Sequence, residues 1–177
     1  RELGTIYMKK VREIHPNARY VVYKTLSNIR CVGAIHKALT QAKVIHVKRD
    51  ALDTCWSIYK NNLLGPVYSY GFHLGQLAYY YRAYNQLMKH WADILPECVL
   101  YELNYEEMVQ HQDIETLSLL NACHLEADDA CFHFEKSNNV TITASQAQVR
   151  KPMYSSAIGS AKPYQENLHI LVDILAR

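Results

Sequence analysis

The sequence predicts an α/β fold in which a parallel sheet is flanked by helices, and three observations carry that expectation. Two short apolar runs rich in β-branched residues and tyrosine, residues 20–23 and 44–47, are separated by a stretch of helical period over residues 29–39. The second run passes directly into another helical pattern at Arg49-Asp50, where Ala51, Cys55, Ile58 and Tyr59 can share one face. A third run, residues 99–103, is again followed by a helix start, at Tyr105-Glu106-Glu107. Strands alternating with helices form βαβ units, and the strands of such units lie parallel.

In chain order, residues 7–14 read as the end of an amphipathic helix closed by His15-Pro16-Asn17. Residues 20–23 read as a strand with Lys24 at its carboxyl end. Ser27 or Asn28 can cap the helix over residues 29–39, in which Ile29, Val32, Ile35 and Leu39 repeat at helical spacing and Gly33 permits close packing. The two strands and this helix make a βαβ unit, which places Lys24 and Arg49 on one edge of the sheet. Asp50 is the expected N-cap of the next helix, with Asp53 in its first turn, where a carboxylate favours free backbone N–H groups.

Arg49 thus stands at the carboxyl end of a strand, where open α/β sheets bind ligands, and Ser57 follows two helical turns on. An arginine fork, a hydroxyl and nearby N–H groups suit a phosphate or a sulfate. The same residues also allow a plainer reading, in which Arg49 forms an ion pair with Asp53 and Ser57 is an ordinary helical serine.

Residues 62–75 read as a loop, with Gly65, Pro66 and Gly71 breaking it and Tyr68, Tyr70 and Phe72 available either to shape an acceptor cleft or to cover the core. Residues 76–91 form a long amphipathic pattern whose stripe, Leu77, Tyr80 or Tyr81, Tyr84, Leu87 or Met88, and Trp91, is read as core. The strand at 99–103 puts Tyr105 at the same sheet edge as Lys24 and Arg49. Short helices are expected over 115–123 and 128–134. Residues 140–151 combine Thr141, Thr143, Ser145 and Gln148 with the basic pair Arg150-Lys151, and Ser155, Ser156 and Gly159 mark a flexible segment before a last helix over 164–175.

Composition limits the function. The chain has 177 residues, 49% of them hydrophobic, enough for one core, and no apolar run reaches the length of a membrane span. Nineteen basic against 17 acidic residues leave a formal charge of +2, so there is no global field for nucleic acid or anionic lipid, and a site for an anion has to be local. Five cysteines without a CxxC pair read as reduced and buried thiols, and no signal peptide is read at Arg1, so the expected location is cytoplasmic. The histidines and cysteines lack the spacing of metal ligands, and no metal is expected.

Several stretches, YKTLSN (23–28), IHKAL (35–39), KVIHVKRDALDTCWS (43–57), YYRAYNQLMKHW (80–91), LNYEEMV (103–109) and VTITASQAQVRKPMYSSAIG (140–159), resemble the PAPS-dependent sulfotransferases. The resemblance lies nearest the branch that includes bacterial tetratricopeptide-linked sulfotransferases and tyrosylprotein sulfotransferase, and it runs in the family's order from about residue 20. It implies a P-loop-NTPase-like α/β fold, a single sulfotransferase-like domain over residues 1–177 that is partial at its amino terminus, and transfer of a sulfuryl group from 3'-phosphoadenosine 5'-phosphosulfate (PAPS) to a hydroxyl. The implied acceptors are protein tyrosine, a glycan or a small molecule, and a homodimer is an expected assembly. By that resemblance Arg49 and Ser57 hold the 3'-phosphate of PAPS or of its product 3'-phosphoadenosine 5'-phosphate (PAP), Lys24 stabilises the transferring sulfuryl group, and Tyr105 contacts the nucleotide. Ser145, Gln148, Arg150 and Lys151 correspond to the late nucleotide-binding loop.

The departures are specific. The glycine-containing phosphosulfate loop of the family, and the catalytic acid that follows it, have no counterpart in this sequence. The family's DKxP-like segment is here Tyr23-Lys24-Thr25-Leu26, its RDP is Arg49-Asp50-Ala51, and its basic-tryptophan pair after the last glycine is Ser160-Ala161, with Lys162 nearby. These changes motivate an alternative, a nucleotide-binding or scaffold domain that has lost its chemistry. A P-loop small-molecule kinase is the other enzymatic reading, and it would need an upstream Walker loop and Mg²⁺. No residue stands out as the base for the acceptor hydroxyl, His36 being expected to pack within its helix.

Overall fold

A computed structural model describes residues 2–61, 66–136 and 151–177. Ser145, Gln148 and Arg150 therefore lie outside the described residues, whereas Lys24, Arg49, Ser57, Tyr105 and Lys151 lie within them. In chain order the elements are helix α1 (Glu2–Ile14), a 3-10 turn (Leu26–Arg30), α2 (Val32–Ala38), strand β1 (Val44–Lys48), α3 (Ala51–Asn61), a 3-10 turn (Pro66–Phe72), α4 (Leu74–Ile94) and strand β2 (Leu100–Asn104). Then follow α5 (Tyr105–Gln110), α6 (Gln112–Ala122), α7 (Asp129–Phe132), two further 3-10 turns (Phe134–Lys136 and Lys162–Tyr164) and α8 (His169–Leu175).

β1 and β2 pair as a two-stranded sheet. The pairing advances in the same direction along both strands, from the Val44 N–H on the Val99 carbonyl to the His46 ring on the Glu102 carboxylate, so the strands are parallel. Parallel strands require a long crossover, and here it runs through α3 and α4. The result is a mixed α/β arrangement consistent with a P-loop-like fold.

The described chain divides into two compact units, Arg1–Val44 with Ala83–Tyr101, and Ile45–Arg82 with Glu102–Arg177. In the first, α1 packs on α2 through Gly4, which is buried and whose missing Cβ makes room for the Ala38 carbonyl oxygen. Gly33 does the same for an aromatic ring: a Cβ there would stand 2.8 Å from Cζ3 of Trp91. The Trp91 indole N–H donates to the Ile29 carbonyl at 2.7 Å, so the ring is fixed on both its polar and its apolar side. Val32, Met88 and Val99 are buried in this unit.

In the second unit α3 lies against α8 and against the turn Pro66–Phe72, while α5, α6 and α7 pack in sequence. Cys55, Leu77, Leu103, Leu168 and Leu171 are among its buried apolar side chains. The stripe expected on the long helix is found on α4, where Leu77, Tyr81 and Met88 are buried and Tyr80 remains 37% exposed.

Several expectations are corrected. Residues 20–23 form no strand: Tyr20, Val21, Val22 and Tyr23 are all exposed, Val22 to 92%, and they have no ladder partner among the described residues. A β-branched run becomes a strand only when an adjacent edge accepts its backbone groups, and none is offered here. Lys24 thus does not stand at a strand end, and the βαβ unit expected from residues 20–24 and 44–49 is replaced by β1–α3–α4–β2. The helix expected over 29–39 breaks at Cys31 (φ −119°, ψ 11°), with Ser27 and Asn28 inside the preceding 3-10 turn instead of capping α2.

The expected last helix starts only at His169, and Lys162–Tyr164 form a separate 3-10 turn ahead of it. The cysteines are free as expected, but only Cys55 is buried, and Cys31 and Cys98 are exposed.

Candidate functional site

The site lies in the second unit, where β1 and β2 end and α3 and α5 begin. Both junctions are capped by side chains of the expected kind. Asp50 Oδ1 accepts from the Asp53 N–H at 2.8 Å at the start of α3, and Asn104 Oδ1 accepts from the Glu107 N–H at 3.0 Å at the start of α5. Glu106 Oε1 accepts from the Asp50 N–H at 2.9 Å and so ties the two junctions together. These contacts fix two helix starts side by side, and Arg49 and Tyr105 stand at them.

The Arg49 backbone is held by Tyr81, whose hydroxyl donates to the Arg49 carbonyl at 3.2 Å. Its guanidinium is mostly buried, with 20% of the side chain exposed. Nη2 donates to the Ala157 carbonyl at 2.5 Å, and Cζ lies 5.1 Å from the centre of the Tyr105 ring. Nε is buried and has no hydrogen-bond partner among the described residues. A buried guanidinium N–H without an acceptor is costly, and an anionic oxygen is the acceptor that would satisfy it best.

The ion pair weighed from the sequence is long: Arg49 Nη2 and Asp53 Oδ2 are 3.9 Å apart, beyond hydrogen-bond reach. The buried Asp53 carboxylate is instead occupied by a segment far along the chain. It accepts from the Gly159 N–H at 2.6 Å, the Ala161 N–H at 2.8 Å and the Ser160 hydroxyl at 3.3 Å. Gly159 has φ +71°, a left-handed conformation that L side chains rarely adopt, which lets the Gly159 and Ala161 amides both turn onto one carboxylate. Trp56, one turn beyond Asp53 on α3, completes the attachment, since the Tyr164 ring lies 4.5 Å from its own. The segment read as flexible from Ser155, Ser156 and Gly159 is therefore anchored along Arg49, Asp53 and Trp56.

Ser57 is half-buried on α3, and its hydroxyl accepts from the Asn61 side-chain amide at 3.2 Å, which leaves its own proton free to donate elsewhere. Burial raises the Tyr105 phenol above its ordinary value, an effect that the nearby Arg49 charge opposes. Tyr105 thus keeps its proton at neutral pH and can donate. Arg49 and Tyr105 are brought together as the sequence suggested. Lys24 is exposed in the first unit, and Lys151 is exposed in the second.

Within the sheet His46 is buried, with Nδ1 3.1 Å from Glu102 Oε1, while Lys48 Nζ reaches Glu102 Oε2 at 3.2 Å. Burial lowers the His46 pKa although Glu102 pulls it the other way. Burial alone would raise Glu102, but its bonds to Lys48 and His46 prevail and hold it below the ordinary carboxylate value. A separate open cavity of about 580 Å³ is lined by Asp113, Asp129, His133 and Glu135 and contains none of the residues just described. Among the described residues no helix is long and apolar enough to cross a membrane, and no three His, Cys, Asp or Glu side chains come together as a metal cluster.

Sequence reasoning missed the use of Asp53, the carbonyl of Ala157 and the hydroxyl of Tyr81. The one local signal for the first was Gly159 itself, a glycine inside a segment with no other reason to turn.

The chain is similar to a protein of Aquifex aeolicus (strain VF5), described only as uncharacterized, at 29% identity over 171 residues. That match covers 96% of this chain and 22% of the relative, so the chain spans about a fifth of the length of the protein it resembles. The family model described as "Sulfotransferase family" matches residues 1–129. This matched region contains β1, β2, the Arg49 junction and Tyr105, and on that match the chain belongs to the sulfotransferase family.

Proposed function

We propose that the protein transfers a sulfuryl group from PAPS to a hydroxyl acceptor, and that Arg49 and Ser57 hold the 3'-phosphate of the nucleotide while Tyr105 contacts it. The observation that carries this reading is the buried, unpartnered Nε of Arg49 on a guanidinium already oriented by Ala157 and Tyr105. A phosphate oxygen would supply the missing acceptor. Ser57 has a hydroxyl proton to donate, and Tyr105 is kept protonated by burial. The donor set is neutral or cationic throughout, as an anionic nucleotide requires.

In the transfer, the acceptor oxygen forms a bond to sulfur as the bond from sulfur to the phosphate oxygen breaks, that oxygen leaves with the electron pair as part of PAP, and the acceptor's hydroxyl proton passes to solvent. Cations and N–H donors aimed at the departing charge supply most of the help in such a step, by analogy with phosphoryl transfer. Lys24 is assigned to the transferring group by family resemblance alone. Ser145, Gln148, Arg150 and Lys151 are assigned to the nucleotide in the same way, and the branch nearest the tyrosylprotein and tetratricopeptide-linked enzymes belongs to this proposal too.

The alternative, a nucleotide-binding domain without turnover, is favoured by the exposed position of Lys24 on a segment that forms no strand. Radiolabelled PAPS offered with tyrosine peptides, glycans and simple alcohols separates the two. Label on a hydroxyl, reduced more by Lys24→Ala than PAP binding is, supports the transferase. Saturable PAP binding without any transfer would establish the alternative, and absence of PAP binding would overturn both.

A further inference from the structure

We infer that Asp53 is a positioning residue for nucleotide recognition, acting on the Arg49 guanidinium through the segment 157–161. The inference rests on the reading that Arg49 holds the 3'-phosphate. It assigns to a buried carboxylate, which touches no ligand atom itself, the task of keeping that arginine where it can bind.

The chain of contacts is short. Asp53 takes the Gly159 N–H and the Ala161 N–H on different oxygens, at 2.6 and 2.8 Å, with the Ser160 hydroxyl as a third donor at 3.3 Å. Two bonded amides on either side of Ser160 leave this turn little freedom to rotate about the carboxylate. Two residues before it, the Ala157 carbonyl receives Nη2 of Arg49 at 2.5 Å. Arg49 and Asp53 are one helical turn apart, so the arginine and the acid grip the same strap from the same helix end. With Nη2 fixed there and Cζ 5.1 Å from the centre of the Tyr105 ring, the guanidinium is held at two points.

An acid so near a phosphate-binding arginine calls for explanation, because its charge opposes the ligand's. The contacts answer it: hydrogen bonds from backbone amides to an ionised carboxylate are stronger than those to a neutral oxygen. An asparagine has the same shape but only one acceptor oxygen, so it can hold Gly159 or Ala161 and not both. Charge and position therefore predict opposite results for Asp53→Asn. Removing a negative charge alone would tighten binding of an anion, whereas releasing the strap would free Arg49 and weaken it.

The test uses calorimetry with PAP and adenosine 5'-phosphate on the folded chain and on the Asp53→Asn and Gly159→Ala variants. Gly159→Ala disturbs the same strap from the other side, since an alanine at φ +71° is strained, and it leaves the carboxylate intact. Both variants are expected to lose about five- to tenfold of the preference for PAP over adenosine 5'-phosphate, with the double variant losing no more than either alone. Backbone amide exchange at Gly159 and Ala161 should quicken in Asp53→Asn. If wild type prefers PAP and Arg49→Ala removes the preference, while Asp53→Asn and Gly159→Ala keep or increase it, the inference is overturned and the reading beneath it survives. If wild type shows no preference, that reading itself has failed. Should Asp53→Asn not fold, Gly159→Ala alone decides the matter in the same terms.

Discussion

Arg49 and Asp53 form a long ion pair of 3.9 Å with no hydrogen bond between them, each committed to the backbone of the segment 157–161. A short, hydrogen-bonded pair would have left a self-satisfied junction. The observed arrangement leaves an arginine whose Nε has no acceptor among the described residues, and in the proposed function an anion at the amino-terminal end of α3 completes its hydrogen bonding.

The close approach of Gly33 to Trp91 gives a stability prediction for the first unit. Gly33→Ala would place a Cβ 2.8 Å from an indole carbon, and the indole cannot retreat without breaking its bond to Ile29. The variant should lose about 1–3 kcal/mol in urea unfolding. Adding Trp91→Leu, which vacates the space, should make the alanine nearly neutral; an equally large loss in that background would refute the steric explanation.

Cys55 is fully buried, and burial, with the Asp50 carboxylate adding to it, pushes its thiol up to about 12. The thiolate is the reactive form. Iodoacetamide at neutral pH should therefore label the exposed Cys31 and Cys98 on the native protein and reach Cys55 only on unfolding. Labelling of Cys55 at the rate of Cys98 would contradict its burial.

Strand pairing should be sensitive to acid through His46. Its folded pKa lies below the ordinary 6.5, so as pH falls through that value the unfolded chain takes up the proton first and stability declines. Glu102 acts in the same direction lower down, since its folded pKa lies below 4.5 and its contribution is lost as the carboxylate protonates. Urea midpoints should therefore fall between about pH 7 and about pH 5, and His46→Gln should flatten that part of the curve. A wild-type midpoint that rises over this range would show that Glu102 prevails over burial at His46.

The β1–α3 junction was legible because its signals are local. A β-branched run, a change of period and an aspartate at the cap position all fall within a few residues of Arg49, and β2 with Tyr105 repeats the pattern. The strap was not legible, because the bonds joining it to Arg49 and Asp53 span 106 to 108 positions and, apart from the Ser160 hydroxyl, end on backbone groups that any residue carries. Residues 20–23 show the opposite failure. Their composition suits a strand, but a strand is a property of two edges, and composition describes only one.

The most direct measurement is the ratio of affinities for PAP and adenosine 5'-phosphate, ligands that differ only by the 3'-phosphate, in wild type, Ser57→Ala and Arg49→Ala. Circular dichroism comes first, to establish that each variant is folded. Wild type should prefer PAP, and Arg49→Ala should lose about 1.5–3 kcal/mol of that preference, the worth of a hydrogen bond to a charged group. That corresponds to roughly one to two orders of magnitude in affinity. Ser57→Ala, which removes a neutral donor, should lose about 0.5–1.5 kcal/mol. An Arg49→Ala protein that is less heat-stable yet keeps the wild-type ratio would mean that the arginine serves only to fasten Ala157, and would contradict its assignment to the 3'-phosphate.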